Sequence, residues 1–260
     1  MQLTPLTRYL SYQIYHAGIV LDAIARSGEA EEIHEFRVSL RRTKSLARLY
    51  LNDLLPFPEE LKSALKATNS LRELDVLIAS LKPSEYPKTL KLLRQMRQER
   101  FDALWEKGFY ERVPTMLRQY YDTLCAANPA IDSAQLVTTV EGGFKTALAR
   151  YRTVDENTPQ KELHQLRVDF KISRYGLEFL RAERLGEESE KIEACKRVQN
   201  TLGNVQDAYN QVEWLRKLYR LRPNAETKRL LKERKKGLKK LKAASRSALS
   251  RAAVDTHLSG

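Results

Sequence analysis

The chain has 260 residues, 42% of them hydrophobic, and a net charge of +13, enough apolar material for one large core or two small ones. Two cysteines, Cys125 and Cys195, exclude a disulfide scaffold and a four-thiolate zinc site and fit a reducing compartment. No apolar run approaches the roughly 20 residues of a membrane span, and Met1-Gln2-Leu3-Thr4-Pro5 does not open a signal peptide, so no membrane contact and a cytoplasmic location are expected.

In chain order, apolar residues recur at helical spacing, and few stretches alternate with period two. The pattern predicts helices near 5–27, 31–54, 58–81, 86–106, 110–126, 132–151, 160–183, 187–220 and 224–251. Most of the nine prolines fall between these segments, as helix breakers do, and with only ten glycines the chain is too poor in turn residues for an all-β fold. The expected class is all-α, built as helical bundles.

An internal repeat refines this expectation. Residues 33–50 read IHEFRVSLRRTKSLARLY and residues 163–180 read LHQLRVDFKISRYGLEFL. At an offset of 130, His34 matches His164, Arg37 matches Arg167, Val38 matches Val168, Arg41 matches Lys171 and Lys44 matches Arg174. A weaker echo at an offset of 134 sets Leu71-Arg72-Glu73 against Val205-Gln206-Asp207. Duplication accounts for both, with halves at about 1–128 and 129–222 and a pseudo-two-fold axis relating them.

Helical geometry makes the repeated stretch distinctive. At about 100° per residue, His34, Arg37, Arg41, Lys44 and Arg48 fall within an arc of roughly 80° and extend about 21 Å along the axis. Ile33, Phe36, Leu40, Ala47, Tyr50 and Leu51 occupy the core face, while Val38 and Leu49 border the row on its other side. His164, Arg167, Lys171 and Arg174 repeat the design between Leu163, Leu166, Phe170, Leu177 and Leu180 on one side and Val168, Ile172 and Phe179 on the other. Glu178 stands where the first copy has Arg48 and is within reach of Arg174 and Arg181. A narrow row of one sign costs free energy unless something neutralises it. Glu35, Glu73, Asp75, Glu178 and Asp207 are the internal candidates; a bound polyanion is the external one.

The remaining charge is concentrated at the C-terminal end. Lys228 to Arg251 holds eleven basic residues against Glu233 alone, which is +10 of the +13. Leu230, Leu231, Leu238 and Leu241 have helical spacing, so this segment is expected to dock one face as a basic helix within 223–260.

The pattern His34-x-x-Arg37-Val38-x-x-Arg41-Arg42-x-Lys44, read with its second copy His164-x-x-Arg167-Val168 through Tyr175-x-x-Glu178, resembles the hallmark of the CHAD domain, the conserved histidine α-helical domain. Val198 to Asp207 and Arg72-Glu73-Leu74-Asp75 are similar to the helices that follow in each half of that family, with Glu73 where Asp is usual. The resemblance covers most of 1–220. It implies two four-helix bundles related by pseudo-two-fold symmetry, a basic groove or pore that binds inorganic polyphosphate without catalysis, and association with polyphosphate granules. No triphosphate tunnel domain, with its Glu-x-Glu-x-Lys strand, is recognisable, so a standalone binding module is expected.

The expected polyphosphate-binding residues are His34, Arg37, Arg41, Arg42, Lys44, Arg48, His164, Arg167, Lys171 and Arg174, with Lys62, Lys66, Lys145 and Lys196 as further candidates. Ile172 replaces the second basic residue that Arg42 provides in the first copy, which makes the second half the expected weaker contributor. No cofactor and no metal are expected, since neither His-Asp nor His-Glu-x-x-His occurs, and Gly142-Gly143 lacks the spacing of a phosphate loop. The competing readings are nonspecific nucleic-acid binding through 228–251, which lacks aromatic residues for base stacking, and a scaffold for an acidic protein.

Overall fold

The computed structural model describes residues 2–155 and 157–255, with side chains described as far as residue 244 apart from residue 160. Arg246 and Arg251 of the basic segment therefore have side chains outside the described residues, and His257 lies outside them altogether. The helices are α1 (Pro5–Ser27), α2 (Ala30–Tyr50), α3 (Glu59–Ala67), α4 (Asn69–Ala79), α5 (Pro87–Glu106), α6 (Phe109–Ala127), α7 (Ser133–Arg152), α8 (Gln160–Ala182), α9 (Ser189–Leu221) and α10 (Ala225–Asp255). No strand occurs among the described residues, so the all-α class holds.

Two compact units divide the chain, Met1–Asp132 and Ser133–Gly260. In the first, α1 packs against α2 and α6, α4 bridges α2 and α5, and α3 rests on α6. In the second, α7 packs on α8, α8 on α9, α9 on α10, and α10 returns to α7. The basic helix thus forms one side of the second unit. Thr227 and Leu230 are fully buried there and Leu231 nearly so. Asn224 opens the helix by accepting a 2.8 Å bond from the Thr227 amide, one of the four orphan N–H groups of a helix start.

Local chemistry sets the ends of α1. Thr4 caps it and Pro5 fills its first position, where a missing N–H costs nothing. Gly28 ends it at φ +65°, and a Cβ there would lie 2.9 Å from Phe101 Cζ, so both backbone and packing require glycine.

Two helix boundaries depart from the sequence reading. The segment expected to be helical through residue 54 stops at Tyr50, with Leu51 as its C-cap and a turn leading to Pro56. The single helix expected over 58–81 breaks at Thr68 into α3 and α4. The break is held by Arg37, whose guanidinium donates to the carbonyl of Leu65 that the α-helical ladder would otherwise use. Its counterpart in the second unit, α9, runs unbroken.

Candidate functional site

The apolar frame of α2 lies where the periodicity puts it. Ile33, Phe36, Leu40, Ala47 and Leu51 are buried, and Val38 and Leu49 border the row half-buried. Along the row, His34 and Arg41 are half-buried, Arg37 is 7% exposed, and Lys44 and Arg48 are exposed. Arg37 donates to Leu65 O at 2.6 Å, Thr68 Oγ1 at 2.7 Å and Asn69 Oδ1 at 2.6 Å, all neutral acceptors. It therefore organises the α3–α4 break, and its bulk sits below the solvent surface. Arg41 donates from Nε to Arg37 O at 3.1 Å. Lys44 and Arg48 form no ion pair among the described residues.

His34 records the field of this row. Its pKa is held below the ordinary value chiefly by burial, then by the guanidinium of Arg72, with smaller contributions from Arg41 and Arg37; Glu31 opposes them. Its Nδ1 is buried and has no hydrogen-bond partner. Arg72, on α4, was not among the expected site residues, although it sits inside a sequence segment singled out for the repeat. It forms no ion pair among the described residues. Asp75, one turn further along α4, does not neutralise the row: it takes Arg97 of α5 at 2.6 Å, and Arg97 also donates to Gly28 O.

In α8 the frame again follows the periodicity. Leu163, Leu166, Phe170, Leu177 and Leu180 are buried, Phe179 is buried on the other flank, and Val168 and Ile172 are half-buried. His164 is exposed, while Arg167, Lys171 and Arg174 are half-buried. Arg167 lies against α9 at Gly203, its Nε 3.7 Å from where a Cβ would stand. By the offset of 134, Gly203 corresponds to Asn69, the residue whose amide oxygen serves Arg37 in the first unit. Glycine supplies no such oxygen. Arg167 accordingly has no hydrogen bond or ion pair to any described residue, and its buried Nε is left unsatisfied. Arg174 meets Glu178 at 3.4 Å, one turn along, and its guanidinium lies 4.9 Å over the ring of Tyr175. Of the two partners within reach of Glu178, the structure uses Arg174.

The further lysine candidates divide. Lys62 and Lys196 pair with Glu59 and Glu193 on their own helices, at 2.5 Å and 2.7 Å, whereas Lys66 and Lys145 are exposed. Arg42 lines a cavity of about 320 Å³ between α1 and α2 together with His34, Tyr12 and His16. His16 Nδ1 lies 3.1 Å from Ser39 Oγ, and its ring stacks with Tyr12 at 6.0 Å. Neither residue was expected to form a site, although their i, i+4 spacing on α1 is the signal that could have paired them. Tyr9 is buried, but Tyr12 and Tyr15 are 61% and 63% exposed, because α1 turns that edge to solvent.

Other chemistry finds little support. Cys195 is fully buried, and burial pushes its thiol up to about 12, the opposite of an activated nucleophile. Among the described residues no group of three or more His, Cys, Asp or Glu side chains is placed to hold a metal ion, and no helix is long and apolar enough to cross a membrane.

The sequence profile of the CHAD domain matches residues 19–216, which takes in both cationic rows and the α3–α4 and α9 segments they touch. The chain belongs to the CHAD domain family. The crystal structure of the CHAD domain from the plant Ricinus communis superposes with a TM-score of 0.79 at 19% identity, covering 97% of this chain and 91% of that one. No curated protein matches the sequence.

Proposed function

We propose that this CHAD domain binds inorganic polyphosphate along the cationic rows of α2 and α8, as a non-catalytic module that associates with polyphosphate granules in the cytoplasm. One observation carries the reading: Arg167, a half-buried guanidinium with no hydrogen bond or ion pair to any described residue and an orphaned Nε. The Nε atoms of Arg37 and Arg174 are also buried without a hydrogen-bond partner, but those guanidiniums have other partners in the protein, whereas Arg167 has none among the described residues. A buried charged donor left unmatched is rare because its desolvation goes uncompensated. A phosphate oxygen would complete it with a charge-assisted bond. The field at His34 agrees. Arg72, Arg41 and Arg37 all disfavour its protonation in the absence of a ligand, and an anion would reverse that sign. A repeating anion suits a row of about 21 Å better than a single small metabolite does.

Within this reading the equivalent arginines of the two rows have different roles. The first unit commits Arg37 to the fold, whereas the second keeps Arg167 available. The test is titration of purified protein with phosphate chains of graded length. Affinity should climb with length and level off once a chain spans the row, and Arg167→Ala should weaken it. Affinity independent of length, or displacement by duplex DNA of equal charge as readily as by polyphosphate, would overturn the assignment.

A further inference from the structure

Positive charge is also concentrated in the second unit outside α8. In the second unit a cleft of about 780 Å³ opens between α9 and α10. Arg216 and Arg220 line it from α9, and Lys228, Arg229, Lys232 and Lys235 from α10; Leu231 and Tyr219 also line it. Arg216 pairs with Glu213, and Arg229 lies 3.9 Å from Glu233. Arg220, Lys228, Lys232 and Lys235 form no ion pair among the described residues.

This charge is fixed on a packed scaffold. Thr227 and Leu230 are buried beneath the cleft, and Lys242 further along lies 6.0 Å over the ring of Tyr209 on α9. Lys228, Lys232, Lys235, Lys239 and Lys242 fall within about 80° around α10 and extend about 21 Å, the same arc and reach as the α2 row. The cleft is also separate from the α8 row. Around the axis of α9, Tyr209, Arg216 and Arg220 lie about 220–260° from Gly203, the residue under Arg167. The two sets of cations therefore address different faces of α9.

We propose that the α9–α10 cleft is a second binding site for condensed phosphate, so that one protein holds two chain segments and cross-links them. This rests on the reading of the α2 and α8 rows above. An extended lysine row at about 5 Å intervals suits a repeating phosphate; residues 228–244 carry no aromatic residue, and the aromatic rings beside the row are Tyr219 and Tyr209 of α9, the latter already covered by Lys242. Two sites on one scaffold make the protein a junction between chains, and a single long chain that engages both gains affinity by effective concentration.

The experiment immobilises one long polyphosphate chain and measures both capture of the full-length protein and its capture of a second, fluorescently labelled chain. Wild type should do both. The triple variant Lys228→Gln, Lys232→Gln, Lys235→Gln should still be captured through the α2 and α8 rows, while recruitment of the labelled chain falls at least tenfold. Full recruitment by the triple variant overturns the second site. Loss of its capture altogether puts all binding in the cleft, which overturns the two-site junction and the earlier reading together. Arg167→Ala with undiminished capture and recruitment counts against the earlier reading alone, because it leaves the cleft in place. Duplex DNA of equal charge displacing the labelled chain as readily as unlabelled polyphosphate would overturn condensed phosphate as the ligand.

Discussion

Arg37 and Arg167 occupy equivalent places in the repeat, yet they should respond to truncation in opposite ways. Arg37→Ala removes three short bonds, to Leu65 O, Thr68 Oγ1 and Asn69 Oδ1, from a side chain that is almost wholly buried. Bonds from a charged donor are worth about 1.5–3 kcal/mol each, and the buried acceptors left behind add a penalty. Relief from burying a charge offsets part of this, so a net loss of about 3 kcal/mol is expected. Arg167→Ala removes no internal bond and lifts an unsatisfied guanidinium off Gly203, so the free protein should change by less than about 1 kcal/mol. Its polyphosphate affinity should fall about 10- to 150-fold, the equivalent of one charge-assisted bond. Urea unfolding of the ligand-free proteins, with slopes compared to exclude a change of mechanism, measures the first quantity. Titration calorimetry with polyphosphate measures the second. The reasoning is refuted if the two variants lose equal stability, or if Arg167→Ala binds as tightly as wild type.

His34 should make binding pH-dependent. In the free protein its folded pKa is depressed by burial and Arg72, so its contribution to stability is present above the ordinary histidine value and is lost as pH falls through the depressed one. A bound phosphate chain favours the proton, so affinity should rise as pH falls from about 8 to about 6, and His34→Gln should flatten that slope; NMR titration of the imidazole checks the direction. Glu178→Gln should raise polyphosphate affinity two- to fivefold by releasing Arg174 from its 3.4 Å internal partner, as read by calorimetry. Asp75→Asn leaves Arg97 facing a neutral amide across a 2.6 Å contact in a nearly buried site and should cost about 3 kcal/mol in urea unfolding, with phosphate binding per folded molecule unchanged.

Periodicity and repetition made most of the helices, the core face of α2 and α8 and the cationic rows legible, because side-chain direction in a helix follows from sequence position at about 100° per residue. The same arithmetic could not separate a cation facing solvent from one turned inward. Arg37 and Arg167 have identical sequence spacing, and their fates diverge on whether the facing segment offers the Leu65 carbonyl, Thr68 and Asn69 or an unbroken helix with Leu202 and Gly203 at the matching positions. The break at Thr68 escaped the pattern because no proline or glycine marks it; there the Leu65 carbonyl accepts from the Thr68 hydroxyl and from the Arg37 guanidinium of another helix. Arg72 stayed hidden as a neighbour of His34, and α10 as a wall of the second unit, because both depend on which helices meet. Sequence alone therefore determined the helical class, the family pattern and which residue types lie along each row. Tertiary packing decided which of those charges serve the fold and which, like Arg167, find no partner in it, since satisfaction of a buried donor depends on groups that are remote in the chain.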